Sequence, residues 1–178
     1  MKLRQLSVIA ACALSCGSVL AALSETEYKA SRERVDAEYK AESKGCDQLK
    51  GNTKDVCMAE TKGHRDVARA ELEANYKDTP KARAKVTEEK ADAAYKVAKE
   101  KCDDFSGNAK DTCQADAKAQ HEKAKATASE QRKVGEARAE TRADSRDAEY
   151  KAAKERCDAY AGDTKDRCVA DAKARYGQ

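Results

Sequence analysis

The residues best suited to chemistry in this chain are its cysteines, of which there are eight. Six of them form three pairs with ten residues between partners: Cys46 and Cys57, Cys102 and Cys113, Cys157 and Cys168. A redox dithiol or a zinc knuckle needs about two residues between its cysteines, so this spacing disfavours both. We therefore predict three local structural disulfides.

No other group of residues predicts a reaction centre. His64 and His121 follow their nearest cysteines by seven and eight residues, and Arg175 and Tyr176 stand in the corresponding part of the third pair. A repeated metal site would repeat its ligands, so both histidines are interpreted as surface residues. Acidic residues alternate with basic ones, which is typical of solvated helix faces rather than of catalytic carboxylate pairs. We predict no enzyme activity, no cofactor and no metal.

The first residues have the pattern of a targeting segment. Two basic residues precede an apolar stretch from Leu6 to Ala22 that contains small residues suited to signal peptidase. We predict a cleavable signal peptide over residues 1–21, which leaves no stable membrane insertion after cleavage. A retained membrane anchor and lipidation at Cys16 stay open as alternatives. Export to the periplasm or to the outside of the cell places the remaining six cysteines in an oxidising compartment, where an even number of thiols is expected to pair.

The body of the chain consists of three copies of one unit. Thirteen positions recur at offsets of 56 and 55 residues, beginning at Asp36, Asp92 and Asp147. Each copy holds an Asp-Ala-x-Tyr-Lys string, one cysteine pair and a Lys-Asp string between the cysteines. A chance origin for this repetition is implausible.

Each copy predicts two antiparallel helices joined by a tight turn. A glycine lies midway between the cysteines, where a left-handed residue ends a helix: Gly51, Gly107 and Gly162. The following residues are predicted to cap the next helix: Asn52, Asn108 and Asp163. Both cysteines of a pair then lie at equal height on facing helices. In each copy, two larger residues are predicted to lie on the same helix face as the first cysteine and to form a packed stripe with it. These residues are Tyr39 and Leu49, Tyr95 and Phe105, and Tyr150 and Tyr160.

The junctions between copies leave two architectures open. Thr79 is pushed out of the helical region by Pro80, which suits the first position of a helix, so we predict a reversal or kink there. The equivalent position one copy later is Gly135, and a helix could continue through it. We predict an all-α fold of three disulfide-stapled hairpins, over residues 22–79, 80–134 and 135–178, in an up-and-down or an extended zigzag array.

Composition restricts what can hold this fold together. Charged residues make up 39% of the chain, with 36 Lys and Arg against 33 Asp and Glu. From Ala22 onward only eleven of 157 residues are Leu, Ile, Val or Phe. A large oily core is excluded, while the remaining residue types favour helix. Basic residues are interleaved with acidic ones, which argues against a nucleic-acid partner.

With these residues in view, the chain resembles small exported bacterial proteins rich in Ala, Lys and Glu that are described as TolA-like or cell-envelope biogenesis proteins. The leader and the runs over residues 150–156 and 170–174 carry the resemblance. A weaker resemblance, through the repeated Glu-Tyr-Lys-Ala string at residues 27–30 and 38–41, is to late-embryogenesis-abundant stress proteins.

These observations lead to two functional expectations. The first is a non-enzymatic exported repeat protein that acts as a structural spacer or interaction module in the cell envelope, with an envelope protein or polymer as partner. The alternative is a periplasmic stress-protective protein or one that sequesters a ligand or metal.

Overall fold

The computed structural model describes residues 23–178, so the predicted signal peptide with its cleavage point after Ala21 and the lipidation alternative at Cys16 lie outside the described residues. Five helices make up this part of the chain: α1 (Glu25–Cys46), α2 (Gly51–Lys77), α3 (Pro80–Cys102), α4 (Gly107–Cys157) and α5 (Gly162–Tyr176). Residues 23–178 contain no strand. The all-α prediction is confirmed.

Local sequence explains where α1 and α3 begin. Ser24 and Glu27 form a reciprocal capping box, in which the Glu27 amide donates to Ser24 Oγ at 3.3 Å and the Ser24 amide donates to Glu27 Oε2 at 2.9 Å. Thr79 caps α3 by accepting from the Ala82 amide at 3.2 Å, and Pro80 holds the first helical position.

The two junctions between copies differ. At the first, α2 ends before Asp78, which has a left-handed backbone with φ 47°, and α3 begins at Pro80. At the second, α4 runs without a break through Gly135 for 51 residues, a length of about 75 Å at 1.5 Å per residue. The structure therefore combines the two predicted architectures, since it reverses at Pro80 and continues at Gly135.

Each helix packs only against its neighbours in sequence, so the described helices form a single layer. Its buried apolar residues are alanines and the first cysteine of each pair. Small residues permit close approach: a Cβ added to Gly63 on α2 would stand 2.8 Å from Ala93 Cβ on α3. None of the helices within residues 23–178 has both the length and the apolar composition needed to cross a membrane.

One part of α4 has none of the other four described helices beside it. The start of α3 reaches Gly135, and the end of the chain reaches Asp147, whose Oδ1 accepts from Gln178 Nε2 at 2.6 Å. Between these points, every residue from 136 to 146 is exposed except the half-buried Ala143. We call residues 136–146 the bare segment. It connects the four-helix part of the layer with the α4–α5 hairpin.

Candidate functional site at the hairpin tips

The three disulfides join the helices at the ends of the hairpins, as predicted. We call the stapled ends tip 1 (residues 46–57), tip 2 (residues 102–113) and tip 3 (residues 157–168). Their Cα–Cα distances are 5.6, 5.7 and 5.7 Å in chain order. The first cysteine of each pair is at most 1% exposed. Three copies of one spacing thus give three copies of one crosslink.

The glycine of each tip is left-handed, with φ of 56°, 55° and 56° in chain order. The prediction that it ends the preceding helix is wrong, because that helix ends at the first cysteine, five residues earlier. The prediction that the next residue caps the following helix is wrong at all three tips. Each helix already begins at its glycine, and the extended residue before it occupies the cap position without a side-chain hydrogen bond. The predicted caps were Asn52, Asn108 and Asp163.

Asn52 instead joins two tips. Its Nδ2 donates to the Glu100 carbonyl at 2.7 Å and to Asp104 Oδ1 at 2.8 Å, across the interface between α2 and α3. Because these bonds run from tip 1 to the last turn of α3 and to Asp104 in tip 2, the two tips lie side by side at one end of the layer. Sequence spacing gave no signal for a contact between residues 48 or more positions apart.

An ion pair closes each tip. The aspartate after the first cysteine accepts from the lysine seven residues later, at 2.9, 2.9 and 2.8 Å: Asp47 with Lys54, Asp103 with Lys110, and Asp158 with Lys165. At tip 3 the hydrogen bond from Lys165, followed by its charge, lowers the pKa of Asp158. The same bond and charge raise the pKa of Lys165. Both residues belong to the repeated positions, so the pairing had a signal in the sequence that we did not interpret.

A large apolar or aromatic side chain is exposed at every tip. Leu49 is 37% exposed, Phe105 53% and Tyr160 52%. These residues were predicted to extend a packed stripe, and that prediction is wrong. Helices α1, α3 and α4 each end at the first cysteine of a pair. The amide three residues later donates to the carbonyl of that cysteine, at 3.0, 3.1 and 3.0 Å in chain order. The resulting tight turn leaves the side chain exposed to solvent.

The repeated tyrosine and aspartate lie inside the first two hairpins as packing residues. Arg65 lies over the Tyr39 ring, with its guanidinium carbon 4.4 Å from the ring centre, and His121 stacks on Tyr95 at 4.6 Å. His121 also contacts Asp92, with 2.5 Å between Nε2 and Oδ1. Arg65 and His121 occupy equivalent positions, 56 residues apart. A flat side chain from the second helix therefore covers the tyrosine in both hairpins.

The histidines do not come together. The His64 side chain is 74% exposed and lies 3.7 Å from a Glu42 carboxylate oxygen, whereas the His121 side chain is 12% exposed. Within residues 23–178, no three His, Cys, Asp or Glu side chains are arranged to hold a metal ion. The prediction that His121 is a surface residue is wrong, because it packs between α3 and α4.

Comparison of the chain with family models, with curated proteins and with solved structures finds no match.

Proposed function

We propose that this protein is a non-enzymatic, exported helical repeat protein that acts as a spacer in the cell envelope and makes its contacts through the hairpin tips. The observation that carries the proposal is the repetition of one exposed surface at three stapled ends. Each tip presents a large apolar or aromatic side chain beside a Lys–Asp ion pair. Exposed aromatic side chains such as those at tips 2 and 3 are enriched at contact surfaces between proteins.

The positions of the tips support the role of a spacer. Helix α4 begins in tip 2 and ends in tip 3, so its length separates these tips by about 75 Å. Asn52 keeps tip 1 beside tip 2. Contact surfaces thus lie at both ends of the molecule, two at one end and one at the other, which is the arrangement that a bridging protein needs.

The crosslinks support an exported location. Three disulfides fit an oxidising compartment, because cytosolic thiols are kept reduced. The leader-like sequence of residues 1–21 assigns the protein, within this proposal, to the periplasm or to the outside of the cell. An envelope protein or envelope polymer is the partner that this location offers.

A pull-down from a cell-envelope extract tests the proposal. The oxidised protein is compared with Phe105→Ser and Tyr160→Ser variants, each altered at one end of α4. Val134→Ser is the matched control, because Val134 is also exposed, at 42%, but lies within α4 away from the tips. We expect the native protein and the control to recover the same components, and each tip variant to lose part of them. Recovery of nothing, or recovery that ignores both tip variants, would contradict the proposal.

A further inference from the structure

The two sides of the α2–α3 pair differ in chemistry, although both face solvent. One side is lined by charged residues, among them Lys62, Arg65, Asp66 and Lys96. The other side is an open groove lined mainly by small residues, and His64 also lines it. The small residues are Gly63, Val67, Ala68, Ala93, Ala94, Val97 and Ala98. Folded domains cover such surfaces with a second layer of secondary structure. In residues 23–178 no helix lies over this groove, because every helix packs only against its sequence neighbours.

The rims of the groove carry opposite charges. Two ion pairs cross it, Glu60 with Lys101 at 3.1 Å and Glu71 with Lys90 at 2.7 Å. Both acids belong to α2 and both bases belong to α3. The α2 rim is therefore acidic and the α3 rim basic, and the apolar floor lies between the two pairs.

This pattern is self-complementary. A second copy, rotated by 180° about an axis that runs along the groove, places its α3 over α2 of the first copy and its α2 over α3. Such a rotation leaves the position of each residue along the helix axis unchanged. Glu60 therefore faces Lys101 of the second copy, and Glu71 faces Lys90 of the second copy. Each helix then has an antiparallel helix on both sides, which is the arrangement of a four-helix bundle.

We infer that the α2–α3 groove is a self-association surface, in which two copies of the chain form an antiparallel four-helix bundle from α2 and α3. The repeats themselves supply a comparison. The position of Val67 is occupied by Lys123 on α4, and the positions of Ala94 and Ala98 are occupied by Glu38 and Glu42 on α1. Lys123, Glu38 and Glu42 are exposed. At the position of Val67, an apolar residue is thus confined to the groove, because the third copy has Gln178 there, whereas Ala98 has an alanine counterpart, Ala153, on α4.

The oligomeric state of the full oxidised protein, measured by sedimentation equilibrium over micromolar to millimolar concentrations, is the first test. We expect a dimer, and we expect Val67→Lys to weaken it by about 100-fold or more, because an unpaired charge would be buried in the apolar floor. Val134→Lys is the matched control, since Val134 is an exposed valine outside the groove, and it leaves the dimer unchanged. A native protein that stays monomeric over the whole range overturns the inference, as does a dimer that Val67→Lys leaves intact.

A charge exchange tests whether the charged rims meet across the dimer, and it does not depend on any single variant. One protein carries Glu60→Lys and Glu71→Lys, and the other carries Lys90→Glu and Lys101→Glu. Each alone has rims of one sign and is expected to be monomeric, while an equimolar mixture restores opposite rims and is expected to form the heterodimer. Circular dichroism confirms that both remain helical. A mixture that stays monomeric overturns the inference. Because no tip residue changes, this result is independent of the envelope-binding experiment.

Discussion

Pro80 packs against Gly135, and a Cβ added to Gly135 would stand 2.8 Å from Pro80 Cβ. The two residues occupy the same position in successive copies of the repeat, 55 residues apart. Pro80 starts a new helix, whereas Gly135 lets α4 continue. The two residues also contact each other, because the absence of a side chain at Gly135 makes room for the Pro80 ring at the start of α3.

Replacing Gly135 by alanine is expected to destabilise the protein although it improves helix propensity. The propensity gain is about 1 kcal/mol, while overpacking against a rigid ring costs about 1–3 kcal/mol. We expect a lower melting temperature, by about 2–4 °C for each kcal/mol lost, in thermal unfolding followed by circular dichroism.

The matched control for this change is Gly45→Ala. Gly45 lies within α1, and a Cβ added there meets nothing within 4 Å. This variant gains helix propensity without a clash and is expected to melt at a higher temperature than the native protein. If both variants move the melting temperature in the same direction, the Pro80 contact does not determine stability at Gly135.

The third disulfide is expected to matter most for local structure. Helix α5 has 15 residues, packs only against α4 and buries a single alanine, Ala172, so little else holds it. A crosslink that closes a ring of this size contributes about 3 kcal/mol. Removing the pair Cys157 and Cys168 by serine substitution is expected to abolish hydrogen-exchange protection throughout α5.

Removal of the second disulfide serves as the control for removal of the third. Helix α3, which carries Cys102, also packs against α2 along its length. Cys102→Ser with Cys113→Ser is therefore expected to reduce protection near tip 2 and to leave most of α3 protected. Equal loss of protection in α3 and in α5 would show that packing between helices contributes little.

The ion pair at tip 3 predicts a pH dependence. Because Lys165 lowers the pKa of Asp158, this carboxylate stabilises the folded state above its ordinary titration range near pH 4. The contribution is lost as pH falls through the lowered pKa. The pKa of Lys165 is raised, so the stabilising contribution of its charged amine is lost only as pH rises through that raised pKa in the alkaline range.

An NMR titration of the Asp158 carboxyl is expected to show the lowered pKa, and Lys165→Gln is expected to return the Asp158 pKa to its usual range. An Asp158 pKa that Lys165→Gln does not move would contradict the assignment.

The bare segment is expected to be the weakest part of α4. Its charges form pairs of like sign four residues apart: Glu136 with Glu140, Glu140 with Asp144, Arg138 with Arg142, and Arg142 with Arg146. Such pairs destabilise a helix, and no other helix within residues 23–178 packs against this stretch to compensate. Limited trypsin digestion of the folded protein is expected to cut first after Arg138, Arg142 or Arg146.

Glu140→Lys tests the cause of this weakness. The change converts two like-charge pairs into opposite-charge pairs with Glu136 and Asp144, and hydrogen-exchange protection of the segment is expected to rise by about fivefold. Ala139→Lys, at a neighbouring exposed position, adds one positive charge, half the change in net charge that Glu140→Lys makes, without reversing a pair at residue 140. A gain from Ala139→Lys that matches or exceeds the gain from Glu140→Lys would mean that pairing does not determine the stability of the segment.

The hairpins and their crosslinks could be predicted from sequence because both depend on short-range spacing that occurs three times. The errors arose where a side chain acts beyond its own hairpin or where a helix ends. Asn52 was assigned to a local cap, but its partners lie on α3 and beyond its end. Leu49 was counted as part of a helical stripe, although α1 ends at Cys46 and the periodicity stops there.

The path of the chain through Gly135 could not be decided from sequence for a different reason. The local cost of one glycine is about 1 kcal/mol, which is too small to force or to forbid a break. The structure adds the contact with Pro80, which is distant in sequence and has no signature in local propensity. In the same way, the difference between the two sides of the α2–α3 pair emerges only once the helices are placed side by side.

We expect crosslinks, rather than a hydrophobic core, to hold the hairpins in register. Thermal unfolding of the oxidised and the fully reduced protein, followed by circular dichroism under otherwise identical conditions, separates the two contributions. Three bonds at about 3 kcal/mol each amount to most of the stability of an ordinary domain, so we expect a cooperative transition for the oxidised protein and none for the reduced one. A reduced protein that unfolds cooperatively within a few degrees of the oxidised one would contradict this expectation.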